Sequence, residues 1–173
     1  EWNGKYRDAV RQGALLWNKA FERIGFQNAL VVNQQPDDAD WDPADVRYNT
    51  IRWFAATDAG FAIGPSRANP LTGELYDADI SFSDGIMRSV RGEMPELIGP
   101  VSFAEETPLP PVRPGWMQNA SWSCTLMSDM ARDMAFGFEV LSTRGMEPDS
   151  PEADAFVNQW LIEVTAHEVG HTL

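Results

Sequence analysis

Residues 150–170 constrain this chain more than any other stretch. Ser150 offers a hydroxyl to free helical N–H groups, Pro151 fits the first helical position, and Glu152 places an acid in the first turn. No Gly or Pro follows until Gly170, so one long helix is predicted, reaching the chain's only two histidines, His167 and His171. Trp160, Val164, His167 and His171 fall on one face of that helix, which predicts an apolar stripe carrying both imidazoles toward the interior.

Histidines four apart on a helix can reach one metal ion, and zinc is the ion that imidazole pairs of this spacing serve. Glu168 follows the first of them, completing His167-Glu168-x-x-His171. In that pattern the carboxylate does not ligate. It holds a water whose pKa the metal lowers, and it takes the proton as the water attacks a peptide carbonyl. Two histidines placed at random would meet this spacing and this neighbour roughly once in a thousand trials, so the pattern outweighs the plain alternative of two hydrogen-bonded core histidines. Val164, Ala166, Val169 and Thr172 leave the flanks uncharged, as a buried active-site helix requires.

Charge removes other classes of function. Acidic residues number 26 against 13 basic ones, a net charge of -13, and the arginines are scattered. A surface for nucleic acid or an anionic membrane needs a basic patch, and none is present. No apolar run reaches the ~20 residues of a membrane span. The single cysteine, Cys124, excludes an intrachain disulfide and a cysteine-built zinc cluster. Hydrophobic residues at 43% and 173 residues in all predict a single globular domain over 1–173.

Upstream, Tyr6, Val10, Ala14, Trp17, Phe21 and Ile24 recur at helical spacing, with Gly25 as a stop. Short strands are predicted over Ala29–Val32 and Thr50–Ala55, the latter ending before a turn at Thr57-Asp58-Ala59-Gly60, with a turn-rich stretch over Gly64–Gly73. Over 76–83, Tyr76, Ala78, Ile80 and Phe82 alternate with polar residues, the signature of a half-buried or edge strand. A proline-rich loop covers 92–121. Met127, Met130, Met134, Phe138 and Leu141 then form a helical face ahead of Gly145. This order of elements predicts the α+β class.

Four runs carry a family resemblance: Gly13-Ala-Leu-Leu-Trp-Asn-Lys-Ala-Phe-Glu-Arg-Ile-Gly25, Asp40-Trp-Asp-Pro-Ala-Asp-Val-Arg-Tyr-Asn-Thr-Ile-Arg-Trp53, Gly64-Pro-Ser66 and Thr72-Gly-Glu-Leu-Tyr-Asp-Ala-Asp-Ile80. With the run from His167 to Leu173, they resemble a family of bacterial zinc-dependent proteases related to the metzincins. The resemblance implies a zincin subdomain, with a twisted mixed sheet over the active-site helix and a long N-terminal helix. It implies zinc on His167 and His171, Glu168 as general base, a peptide or protein substrate, and export from the cell. It also implies an edge strand that aligns the substrate. Residues 76–83 are the candidate, with Asp79, Ile80, Ser81 and Phe82 as substrate-binding positions; the alternative is a strand paired on both sides. The family continues with a third histidine six residues after the second, beyond Leu173. The expectation is therefore an incomplete catalytic domain, weakly active or inactive as it stands. A non-catalytic binding module keeping the fold is the alternative function.

Three weaker features remain. Asp37, Asp38, Asp40, Asp42 and Asp45 offer oxygens to calcium, although a solvated acidic turn explains them as well and the spacing is not that of an EF-hand. Asn119-Ala120-Ser121 fits a glycosylation triplet, idle in a bacterium. Cys124 is either a small buried residue or a further zinc ligand in a latent form.

Overall fold

The structure, a computed structural model, describes residues 4–55, 62–64, 66–85, 88 and 126–173, which include the helices and strands named next. The helices are α1 (Gly4–Leu15), α2 (Asn18–Arg23), α3 (Leu126–Thr143) and α4 (Pro151–Gly170). The strands are β1 (Thr50–Phe54), β2 (Ala62–Ile63), β3 (Ser66–Ala68) and β4 (Leu75–Ser83). The class is α+β. The turn at 57–60, the proline-rich stretch 92–121, Asn119 to Ser121 and Cys124 lie outside the described residues.

Strand β4 organises the sheet. It pairs in parallel with β1, Thr50 opposite Asp79 through Phe54 opposite Ser83, and antiparallel with β2 and β3 on its other side. The expectation of an edge strand over 76–83 is therefore corrected. Ser81 and Phe82 have strand partners on both sides, Asp79 and Ile80 pair with β1, and Ile80 and Phe82 are buried in the core. Ser81 and Phe82 thus have no free edge to offer a substrate, and Asp79 and Ile80 have one edge taken by β1. Alternation identified the strand, but it cannot say which side of a strand has a neighbour. Burial also departs from the alternation, since Asp77 and Ser83 are enclosed while Tyr76 is exposed.

Helix α4 lies at the centre of the core. Ala153, Val157, Trp160, Leu161, Val164 and Val169 are buried and pack with Ala9, Val10 and Ala14 of α1, Ile80 and Phe82 of β4, and Phe138 of α3. Its start follows the predicted capping: Ser150 is extended and its hydroxyl accepts from the Ala153 N–H at 3.2 Å, with Pro151 next. Helix α3 ends before Gly145, whose φ of 97° is one that glycine adopts without strain. Gly25 takes the same conformation beyond α2.

Two expectations change. The helix predicted over Tyr6–Ile24 is split between α1 and α2 at Leu16 and Trp17, and Ile24 is largely exposed. The division coincides with Trp17, whose indole is committed to α4. The run Ala29–Val32 joins no sheet among the described residues. Instead Asn18 clamps Leu30, its amide donating to the Leu30 carbonyl at 2.9 Å and accepting the Leu30 N–H at 2.8 Å. That side chain satisfies the backbone groups a neighbouring strand would otherwise take.

Helix α1 approaches α4 closely because residue 13 has no side chain. A Cβ there would lie 2.5 Å from the Ile162 carbonyl oxygen and 2.7 Å from Thr165 Cβ. This crossing fixes α4 against the N-terminal helix just before the turn that carries the histidines.

Candidate metal centre

The last turns of α4 bring His167, Glu168 and His171 together. The Nε2 atoms of the two imidazoles are 3.0 Å apart, with ring centroids at 4.6 Å and planes nearly perpendicular. Two nitrogens bound to one tetrahedral zinc at about 2.0–2.1 Å would be separated by roughly 3.3 Å. One ring can donate to the other at this distance, the direction depending on the tautomer, and the separation is within a few tenths of an ångström of what a shared ion requires. The donor set fits zinc in two of its positions. Among the described residues no group of three or more His, Cys, Asp or Glu side chains is disposed to hold a metal.

The stripe carrying the histidines runs the other way from the one expected. Trp160 and Val164 are fully buried, His167 is half-buried, and His171 is exposed beyond the end of the helix. An apolar interior thus opens toward solvent at the motif, as a site receiving both an ion and a substrate must. Burial, and to a lesser degree the neighbouring His171, lowers the pKa of His167. A neutral imidazole results, the form that ligates a metal.

Glu168 is 4% exposed, and burial raises its carboxyl pKa above the ordinary 4.5, with His171 acting weakly in the opposite direction. Such a carboxylate is a stronger base than a solvated one. Its charge also costs the metal-free fold stability at neutral pH. With the folded-state pKa above the unfolded value, the penalty is full above the folded pKa and disappears as pH falls through it toward 4.5. Glu168→Gln should therefore raise the denaturation midpoint of metal-free protein at pH 7. In parallel urea titrations the gain should shrink toward zero near pH 4, whereas a lower midpoint at pH 7 would contradict this electrostatic reading.

Sequence reasoning missed Gly64. It follows β2, and a Cβ on it would lie 3.4 Å from the Glu168 carbonyl oxygen, 3.5 Å from Ile80 Cγ1 and 3.6 Å from Glu168 Oε2. The backbone after β2 thus passes directly beside the buried carboxylate. The Gly64-Pro-Ser66 run was visible, but nothing in a glycine's identity points to a partner a hundred residues away. The acidic loop carries no comparable geometry. Asp45 binds Arg47, which holds its pKa down to about 2, and Asp42 accepts the Ala44 N–H at 2.8 Å. These carboxylates serve the turns of their own loop.

No family model, curated protein or solved structure matches this chain. Among the described residues, no helix is long and apolar enough to cross a membrane.

Proposed function

We propose that this chain carries the metal-binding helix of a zinc-dependent peptidase of the metzincin-like class. The observation that carries the reading is the convergence of His167 and His171, 3.0 Å apart at Nε2, beside a buried carboxylate of raised pKa. Zinc held there would supply Lewis acidity, lowering the pKa of water and polarising a peptide carbonyl. His167 and His171 would hold the ion as neutral imidazoles. Glu168 accepts the proton from the attacking water and passes it to the departing amine, a role its burial suits. The α+β arrangement, with the sheet beside the motif-bearing helix, is compatible with a zincin subdomain.

An extended peptide would lie along residues 62–64 rather than along β4. Strand β2 has β4 as its strand neighbour among the described residues, and Gly64 is the sheet-side backbone that reaches Glu168. Backbone pairing there would place a scissile carbonyl near the carboxylate.

The test is hydrolysis of a mixed peptide library by the zinc-loaded protein, with cleavage read by mass spectrometry. With two imidazole ligands the chain should cleave weakly at most, and whatever cleavage it shows should be lost in Glu168→Ala with zinc content unchanged. Cleavage that survives Glu168→Ala would refute the assigned role. Peptide binding of equal strength with and without zinc, and no cleavage in either protein, would favour a non-catalytic binding module.

A further inference from the structure

Trp17 touches the metal-binding turn at two points, each next to a histidine. Its indole N–H donates to the Ala166 carbonyl at 2.7 Å, and that carbonyl belongs to the peptide unit leading into His167. Its ring covers Gly170, where a Cβ would lie 2.7 Å from Trp17 Cζ2 and 3.5 Å from Cε2 and Cη2. Gly170 immediately precedes His171. One side chain, 149 residues away in sequence from Ala166, therefore holds the backbone on the N-terminal side of both imidazoles.

This turn needs such support. Helix α4 formally ends at Gly170, and His171 is its cap, with φ of -71° and ψ of -14°. The His171 N–H is shared between the His167 and Glu168 carbonyls at 3.3 and 3.2 Å, as in a tightened final turn. Final turns fray, and a frayed turn would let His171 drift from His167. The Gly13 crossing, four residues before Trp17 and near the end of α1, holds the chain against α4 and brings the indole within reach.

We propose that Trp17 is a positioning residue for the metal site, setting the separation of His167 and His171 through its grip on Ala166 and Gly170. The inference rests on the metal-site reading above. It also gives position 170, the last residue of the helix, a packing reason to be glycine: the indole occupies the space a methyl group would take.

Trp17→Phe keeps an aromatic ring and removes the N–H, so it separates the hydrogen bond from gross packing. Two measurements decide the matter, cobalt(II) titration followed by visible absorption, and amide hydrogen exchange of the metal-free protein. In Trp17→Phe the amides of residues 170–172 should exchange about three- to tenfold faster, the worth of one hydrogen bond, while those of 157–161 stay unchanged. Cobalt affinity should fall by a similar factor, with an altered absorption band. Gly170→Ala attacks the same contact from the other side, and its effects should largely vanish in a Trp17→Leu background, where the ring is gone. Wild-type exchange at 170–172 in Trp17→Phe, or an unchanged cobalt spectrum and affinity, would overturn the proposal. A wild-type chain that takes up no cobalt would sink the metal reading instead, and amide exchange alone would then decide whether Trp17 holds this turn.

Discussion

Gly13→Val should unfold or severely destabilise the protein, by about 3 kcal/mol or more in urea denaturation. Even Gly13→Ala should destabilise it, and that sign is the diagnostic. In an exposed helix interior, replacing glycine with alanine favours folding by about 1 kcal/mol. Here the added Cβ would meet the Ile162 carbonyl oxygen at 2.5 Å and Thr165 Cβ at 2.7 Å. The first is backbone and the second a fully buried β-branched side chain, so neither can yield without moving α4. Separating α1 from α4 would uncover Ala9, Val10 and Ala14, the N-terminal helix's share of the core. Gly4→Ala is the control, because nothing lies within 4 Å of a Cβ at that position. Gly13→Ala more stable than wild type would show that the two helices are not in this contact.

His171→Ala should abolish the stabilisation that zinc gives the fold. A ligand that binds only the native state at a hundred times its dissociation constant contributes about 2.7 kcal/mol, which for a chain of this size moves the thermal midpoint up by roughly 5–10 °C. In wild-type protein both imidazoles would hold the ion, and widening their 3.0 Å approach to the roughly 3.3 Å that zinc needs calls for little rearrangement. Removing His171 leaves His167, half-buried and alone, with no second imidazole within reach in a chain of two histidines. Added zinc should then leave the midpoint within about 1 °C of its metal-free value. Titration with proton competition adds a sign. Binding should weaken as pH falls, because protons and metal compete for the same nitrogen lone pairs.

Much of this arrangement was legible in the sequence wherever local rules decide structure. Ser150, Pro151 and Gly170 bounded α4, the alternation over 76–83 located β4, and Gly145 closed α3, because caps, strand periodicity and glycine conformation are properties of neighbouring residues. Where a distant partner decides, the sequence was silent. Strands β2 and β3 are two and three residues long, too short for a periodic signal, and they exist through pairing with β4. The same limit hid the interior position of β4 and the division of the first helix at Trp17. Ala29–Val32 has a strand's composition, yet Asn18 supplies the hydrogen bonds that a partner strand would have given. The site divides in the same way. His167, Glu168 and His171 announced themselves through spacing on one helix, while Trp17 and Gly64 reach that helix only through the fold.

The most direct test of the metal site is zinc stoichiometry by elemental analysis, on wild-type protein and on His167→Ala, each saturated with zinc and dialysed against metal-free buffer. About one zinc per wild-type chain, and none in the variant, is the expected result, since the converging imidazoles are the only histidines. Equal zinc in both proteins would place the metal elsewhere and contradict the assignment of this helix as a zinc-binding element.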